Sequence, residues 1–196
     1  MKTDSNGNAA PHLPSVSRPE ERAAAQERTR AYPYRFPRDR RRLGGKFTVE
    51  ENSRRLLRFF YFERRLTQAL GSWTLSLPEF EVKLETGRHI FYHADAARLF
   101  RERLQEQERR LADVDQHRDP EIDLFIEEML SASSAPEFLT GVHQVAGSAL
   151  ATAYRHHIDD TDPIADTPTI RLLRRIVSDY EPMLEWAEGA LAAYLE

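Results

Sequence analysis

The spacing of apolar residues predicts that most of this chain is helical. Between residues 50 and 76, apolar side chains recur every three, four or seven positions, as they do on one face of an α-helix. The same periodicity covers 78–110, 137–158 and the stretch from Pro168 to the C-terminus, and a shorter piece of it covers 121–130. We therefore expect an all-α fold of four long helices, with the short helix in a long crossover between the second and the third.

One carboxylate interrupts the apolar face of the first predicted helix. At 100° per residue, Glu63 falls between Phe59, Phe60 and Leu66, where an unpaired carboxylate is costly to bury. Glu63 therefore needs a partner from another helix.

The second predicted helix carries two histidines on its inward side. Its inward positions are Val82, Thr86, His89, His93, Ala97, Phe100 and Leu104. A tight connection near residues 77–78 makes the first two helices antiparallel. At 1.5 Å per residue, Glu63 and His89 then stand within about 3 Å of each other along the helix axis. Without a metal, His89 and His93 would be core residues that hydrogen-bond Glu63 or Thr67.

The third and fourth predicted helices add further inward polar groups. The inward positions of the third helix are Leu139, Val142, His143, Ala146, Ala149, Leu150, Ala153 and His157. Those of the fourth helix are Ile170, Leu173, Val177, Tyr180, Leu184, Ala187 and Leu191. Asp166 or Thr167 is expected to cap the fourth helix, and Pro182 to bend it. We expect Tyr154 and Tyr180 to be core residues with satisfied hydroxyl groups.

Charge is divided unevenly along the chain. Residues 1–46 contain eleven Lys or Arg and five Asp or Glu, whereas the remainder contains 17 and 27. The basic segment RFPRDRRR at residues 35–42 could bind nucleic acid, an acidic partner or the acidic remainder of the chain. The mixture of Pro, Ala and Glu around it is more typical of a solvated tail. We therefore interpret 1–46 as a disordered basic arm without nucleic-acid binding, and 47–196 as a helical bundle.

Composition excludes several classes of protein. The chain has no cysteine, so disulfides, thiolate nucleophiles and Cys-ligated metals are ruled out. No run of consecutive apolar residues approaches the roughly 18 that a membrane span requires. The N-terminus also lacks the apolar segment of a secretory signal. We therefore expect a cytoplasmic protein. Gly-rich phosphate loops, G-x-S-x-G elbows and H-E-x-x-H motifs are also absent.

Three segments of the chain resemble the ferritin-like superfamily, and particularly its bacterial ferritin-like domain proteins. They are FERRLTQAL, PEFEVKLETGRHIFYHADAARLFRERL and DPIADTPTIRLLRRIVSDYEPMLEW, and the resemblance covers roughly residues 50 to 190. It implies two antiparallel helix pairs joined by a long crossover, with a buried Glu in the first helix. It also implies a pair of iron or manganese ions held by carboxylates and histidines.

The metal motifs of that superfamily are incomplete here. The superfamily places a Glu on each of two helices and Glu-x-x-His on each of the other two. Glu63 matches the first-helix Glu and His89 the His of the second helix, but Thr86 stands where its Glu should be. In the fourth helix the corresponding positions are Tyr180 and Met183.

A shifted metal site can still be assembled from the remaining side chains. Glu85 lies one turn before His89, and His143 is expected near the same level if the third helix runs parallel to the second. Nitrogen and oxygen ligands of this kind suit iron, manganese or zinc. His93 and Tyr180 would lie beside the ligands, and no catalytic residue is singled out. The predicted ligands are Glu63, Glu85, His89, His143 and Glu181.

Two functions follow from this sequence, and they differ in whether a metal is present. The first is a non-haem oxidase or oxygenase with iron or manganese that acts on a small organic substrate. The second is a catalytically inactive bundle that binds a partner or acts as a scaffold, which the broken motifs favour. A haem-oxygenase-like metal oxidase is a third hypothesis, but the helical array of such proteins is longer and fits this chain less well. The bundle could form a homodimer, although no apolar stripe in the sequence demands one.

Overall fold

The computed structural model describes residues 45–194, and this part of the chain is helical throughout, with no β-strand. The prediction of an all-α fold is thereby confirmed. In chain order the helices are α1 (Val49–Trp73), α2 (Phe80–Glu106), α3 (Leu111–Gln116), α4 (Pro120–Leu130), α5 (Ala135–Leu139), a π-helix (Thr140–Gly147), α6 (Ser148–Asp160) and α7 (Thr167–Ala193). None of the helices in 45–194 is long and apolar enough to cross a membrane.

Four long helical segments pack side by side. The first, second and fourth are α1, α2 and α7; the third is the unbroken run of α5, the π-helix and α6, whose junction residues Leu139 and Ser148 keep helical backbone angles. Helix α1 packs on α2 and α4, while α7 packs on α2, the π-helix and α6.

Contacts at the two ends fix the direction of each segment. At one end, Arg103 near the end of α2 donates to Thr169 Oγ1 in the first turn of α7, at 2.9 Å, so these two helices are antiparallel. At the other end, Trp73 of α1 stacks on Phe138 of α5, with ring centroids 4.5 Å apart. The third segment therefore runs parallel to α2, and the connection at 107–134 crosses from one end to the other. It carries α3 as well as the predicted short helix, α4.

The π-helix changes which residues of the third segment face inward. Val142, His143 and Ala146 are buried as predicted, but Ala149 is exposed, whereas Tyr154 is fully buried. Because a π-turn contains more residues than an α-turn, the inward face beyond it is displaced along the sequence. The predicted inward position of Ala149 was wrong for this reason.

Side-chain caps define several helix starts. Thr48 Oγ1 accepts from the amide of Glu51 at the start of α1, at 3.1 Å. Asp166 Oδ1 accepts from the amide of Thr169 at 3.4 Å, which confirms Asp166 as the cap of α7. Helix α7 then continues through Pro182 to Ala193.

The beginning of the described chain is tied to α6. Lys46 donates its backbone N–H to the carbonyl of Asp160, at 2.8 Å, and its ammonium group pairs with the carboxylate of the same residue, at 2.5 Å. The predicted disordered arm of residues 1–46 overlaps the described part of the chain at Gly45 and Lys46 alone. Its other residues, 1–44, lie outside the described part of the chain.

The core between the segments is made of aliphatic and aromatic side chains. Those with no exposed surface include Leu56, Leu66, Leu70, Phe100, Leu104, Phe138 and Leu173. Each such side chain contributes about 1.5–3 kcal/mol when removed from water. All seven predicted inward positions of the second helix, from Val82 to Leu104, are buried.

Candidate functional site

One polar side chain from each of the four long segments meets in the centre of the molecule. Glu63 comes from α1, His93 from α2, Tyr154 from α6 and Tyr180 from α7, and each is at most 1% exposed. Glu63 Oε2 lies 2.6 Å from His93 Nδ1. The hydroxyl groups of Tyr154 and Tyr180 both donate to Glu63 Oε1, at 2.5 and 2.7 Å. The predicted burial of Glu63 is confirmed, and so are the satisfied hydroxyl groups of both tyrosines.

The two tyrosines act as hydrogen-bond donors at neutral pH. Burial raises the pKa of Tyr154 and of Tyr180 well above 10, and the negative charge of Glu63 raises both further. Each hydroxyl therefore keeps its proton. With His93 on its other oxygen, the carboxylate of Glu63 has both oxygens occupied by protein groups. We call these four side chains the Glu63 network.

The partner of Glu63 is His93, one helical turn beyond the predicted His89. The sequence-based estimate compared Cα heights alone. Side chains on a helix lean toward its N-terminus, and the N-termini of α1 and α2 lie at opposite ends. The side chains of Glu63 and His93 therefore lean toward each other. They meet although the comparison of Cα heights matched Glu63 to His89.

Next to the Glu63 network, His89 and His143 form a second buried layer with Trp186. The ring centroids of His89 and His143 lie 4.9 Å apart, and the Trp186 indole is 4.9 Å from His89 and 5.9 Å from His143. His89 is 1% exposed and His143 is not exposed at all. Thr86, one turn before His89 on α2, is also fully buried.

Several polar atoms in this second layer have no hydrogen-bond partner. They belong to side chains that face the interior from α2 and the π-helix, and they are Nδ1 of His89, both ring nitrogens of His143, Nε2 of His93 and Oγ1 of Thr86. Buried polar atoms in folded proteins almost always have a partner. We call His89, His143, His93 Nε2 and Thr86 Oγ1 the imidazole layer.

His89 and His143 are uncharged at neutral pH. Burial, with smaller contributions from the charges of His93 and Arg88, lowers the pKa of His89 to about 3. Burial lowers the pKa of His143 well below 6.5, with smaller contributions from His89 and His93. Each neutral imidazole carries one N–H donor and one nitrogen lone pair, so this layer holds unpartnered donors as well as unpartnered lone pairs.

The π-helix positions His143 in this layer. His143 lies in the middle of the π-helix, where α-helical spacing is interrupted. A methyl group in place of the Gly147 hydrogen would lie 3.0 Å from Leu184 Cδ2, so the third segment approaches α7 closely here. Single π-turns of this kind are frequent at functional sites.

The structure does not bring the five predicted metal ligands together. Glu85 lies at the edge of α2 and pairs with Arg88 at 3.3 Å, while Thr86 takes the inward position beside it. Glu181 is exposed and pairs with Arg155 at 3.2 Å. One residue of helix rotates a side chain by about 100°, which turns Glu181 away from the inward Tyr180. The predicted ligand roles of Glu85 and Glu181 are corrected accordingly.

Two of the predicted ligands, His89 and His143, do lie side by side. The two residues predicted to lie beside the ligands, His93 and Tyr180, both contact Glu63, which is one of the predicted ligands. Within residues 45–194, no three His, Asp or Glu side chains converge on one point in the way a complete metal site requires.

Sequence reasoning missed Tyr154 as a partner of Glu63 and Trp186 as a neighbour of both imidazoles. Tyr154 follows the π-helix, which no apolar periodicity predicted. Trp186 comes six residues after Tyr180 on α7, and its partly buried ring gave no signal in the apolar pattern.

No family model, curated protein or solved structure matches this chain.

Proposed function

We propose that this chain is a ferritin-like four-helix bundle that binds a single transition-metal ion beside His89 and His143. The ferritin-like part rests on the order of the segments: two antiparallel pairs, a long crossover with short helices, and a buried Glu in the first helix. The metal part rests on the imidazole layer.

The unpartnered atoms of the imidazole layer are the observation that carries the proposal. A buried polar atom without a partner costs about 1–3 kcal/mol, and this layer contains five of them. A metal ion takes up imidazole lone pairs and removes this cost for the nitrogens that it binds. Imidazole nitrogens suit zinc, copper, nickel and iron.

A pair of iron or manganese ions does not fit the residues present. Such a centre needs several carboxylates, whereas Glu63 is the one fully buried carboxylate in residues 45–194. Both of its oxygens are already occupied by His93, Tyr154 and Tyr180. We therefore replace the expected di-metal centre by one ion and assign no step to a metal pair.

Two imidazoles are one protein ligand fewer than catalytic zinc sites have, so a bound ion would take its remaining ligands from water or a small molecule. A bound ion of this kind would supply Lewis-acid or redox chemistry for the oxidation of a small organic molecule, the activity that the ferritin-like resemblance implies. The protein's own contribution is to exclude water from His89 and His143 and to keep both imidazoles neutral. The Glu63 network holds His93 by its Nδ1, and Nε2 remains one of the unpartnered atoms of the imidazole layer.

Metal analysis of purified protein tests this proposal. Protein from cells grown with added zinc, iron, manganese and copper should contain about one equivalent of one metal per chain. The variants His89→Phe and His143→Phe should lose it while keeping the helical circular dichroism signal. His156→Phe is the matched control, because His156 is exposed and should leave the metal content unchanged. Metal-free wild-type protein under all these conditions, or metal retained in the double variant, would reject the proposal.

A second candidate, the partner-binding bundle, is favoured by an exposed apolar stripe on α2. Phe80, Leu84 and Phe91 are 66%, 60% and 63% exposed, and with Gly87 they follow the spacing of one helix face. The sequence pattern alone did not demand a homodimer, and this stripe is the surface that supports one. If two copies pair through it, light scattering should give twice the chain mass for wild-type protein and the single chain mass for Leu84→Glu. A single chain mass for both proteins would exclude the homodimer.

A further inference from the structure

The outward face of α2 carries an apolar seam with the spacing of a coiled coil. Its members are exposed, follow one another at intervals of four, three, four and three residues, and are Phe80, Leu84, Gly87, Phe91 and Ala94. This alternation keeps one stripe of a helix in contact with a second helix. The buried face of α2 lies on the opposite side, so these residues, which we call the α2 seam, are not part of the chain's own core.

Gly87 leaves open space in the middle of the α2 seam. A glycine inside a helix is less favourable than an alanine. A methyl group at Gly87 would meet no atom within 4 Å, so no neighbour in the described part of the chain requires a glycine there. The space above Gly87 can therefore receive a side chain of another molecule.

Two copies of the α2 seam fit each other when the two helices run antiparallel. If Leu84 of one copy lies over Gly87 of the other, twofold symmetry also places Gly87 over Leu84. The same register places Phe80 over Phe91 at both ends. Each leucine then fills the space above a glycine, and the aromatic rings pair with each other.

The charges beside the α2 seam favour this antiparallel arrangement over a parallel one. Glu81 and Arg88 lie on the same flank and are both exposed. In the antiparallel register, Glu81 of one copy and Arg88 of the other lie within about 3 Å of each other along the helix axis. In a parallel pair, Lys83 of one copy would face Arg88 of the other, and these like charges repel.

The flank that carries Glu81 also holds an open cavity that suits an arginine. The cavity has a volume of about 400 Å³ and is lined by Glu81, Val82, Leu84, Glu85, Trp186 and Ala190. Its carboxylates match a guanidinium group, and its apolar walls match the stem of an arginine side chain. Arg88 can supply that group, because 61% of its side chain is exposed, beside Glu85 of its own helix.

We infer that two copies of this chain pair antiparallel through the α2 seam, with Arg88 of each copy in the acidic cavity of the other. This inference rests on the second candidate function, the partner-binding bundle, and is independent of the metal site. It gives that candidate a partner and a register.

Sedimentation equilibrium of charge variants tests the register. Glu81→Arg and Arg88→Glu each replace two attractive contacts by two repulsive ones, so each should raise the dissociation constant of the dimer about tenfold. An equal mixture of these two variants should form a heterodimer about as tight as the wild-type dimer, because opposite charges meet again on both flanks.

The same charge changes on other helices are the matched controls. Glu127→Arg on α4 and Arg174→Glu on α7 alter exposed side chains away from the α2 seam. They should leave the dissociation constant within about twofold of the wild-type value. Circular dichroism should show the same helix content in every variant, so that lost pairing is distinguished from lost folding.

The outcomes separate the register from the homodimer itself. A dimer that is lost in Leu84→Glu but unaffected by both charge variants would reject the register and keep the homodimer. A dimer strengthened by Arg88→Glu would do the same, since the parallel pair predicts it. A single chain mass for wild-type protein at about 1 mM chain, where even a weak dimer forms, would reject both. Phe91→Glu serves as a second seam variant if Leu84→Glu does not fold.

Discussion

The Glu63 carboxylate and the His93 imidazole are in buried hydrogen-bond contact across the first two helices, with Oε2 and Nδ1 2.6 Å apart and neither side chain exposed. Tyr154 and Tyr180 complete the group from the other two segments. Because every long segment contributes one member, the Glu63 network fixes the relative height and rotation of all four. A shift of any segment by one residue would leave a buried polar group without its partner.

Removal of the Glu63 carboxylate should strongly destabilise the fold. The variant Glu63→Ala leaves His93, Tyr154 and Tyr180 without their shared acceptor, so we expect the free energy of unfolding to fall by about 3–5 kcal/mol. Urea unfolding followed by circular dichroism measures this change. Glu181→Ala is the control, since this exposed carboxylate should change stability by less than about 0.5 kcal/mol. Equal effects of the two variants would contradict the role given to Glu63.

The two tyrosines should be coupled, because both donate to the same oxygen of Glu63. Tyr154→Phe or Tyr180→Phe alone leaves one donor on Oε1, and each should cost about 1–2 kcal/mol. The double variant leaves Oε1 without a donor, so its cost should exceed the sum of the single costs by about 1 kcal/mol. A double-mutant cycle by urea unfolding measures this difference, and simple additivity would show that the tyrosines act independently.

Stability of the metal-free protein should decrease as the pH falls below about 6.5. The folded state holds the pKa of His89 near 3, below its ordinary value of 6.5, so the unfolded state binds the proton first. Each such imidazole should therefore remove about 1.4 kcal/mol per pH unit, starting near the unfolded pKa and ending near the folded one. Urea unfolding at several values between pH 7.5 and pH 5 checks this. The slope should be shallower in His89→Phe, and an unchanged slope would contradict the assignment.

The cap of α7 also holds the end of α2. Asp166 Oδ1 accepts from the amide of Thr169 and from the guanidinium of Arg103, the latter at 2.5 Å, and both charged side chains are mostly buried. Asp166→Ala should cost about 2–4 kcal/mol, because it removes a cap and leaves Arg103 with less of its counter-charge. Asp166→Asn keeps a capping oxygen and should cost less. Thermal unfolding compares the two variants, and equal losses would show that the ion pair contributes nothing.

Apolar periodicity was sufficient to predict the helices and most of their inward faces. It placed Glu63, His89, His93 and His143 inside because each interrupts a regular apolar stripe, and all four are buried. Beyond Thr140 it failed at Ala149, which is exposed because the π-helix displaces the inward face, although Leu150 and His157 are buried as predicted. Nothing in the residue types of that segment predicts the extra residue in the turn.

The partners of the buried groups were harder to predict than their burial. Glu63 was matched to His89 by Cα height, whereas the lean of the two side chains joins Glu63 to His93. Glu85 and Glu181 were included because the resemblance requires carboxylates, but both adjoin inward residues without being inward themselves. A rotation of 100° per residue decides such cases, and the inward positions next to them are taken by Thr86 and Tyr180.

The most direct test of the metal site is anomalous diffraction from crystals soaked in cobalt(II). Data on both sides of the cobalt absorption edge should give one anomalous peak inside the bundle, about 2.0–2.2 Å from an imidazole nitrogen of His89 and of His143. A peak on the Glu63 carboxylate, or no peak near His89 and His143 at saturating cobalt, would contradict the account.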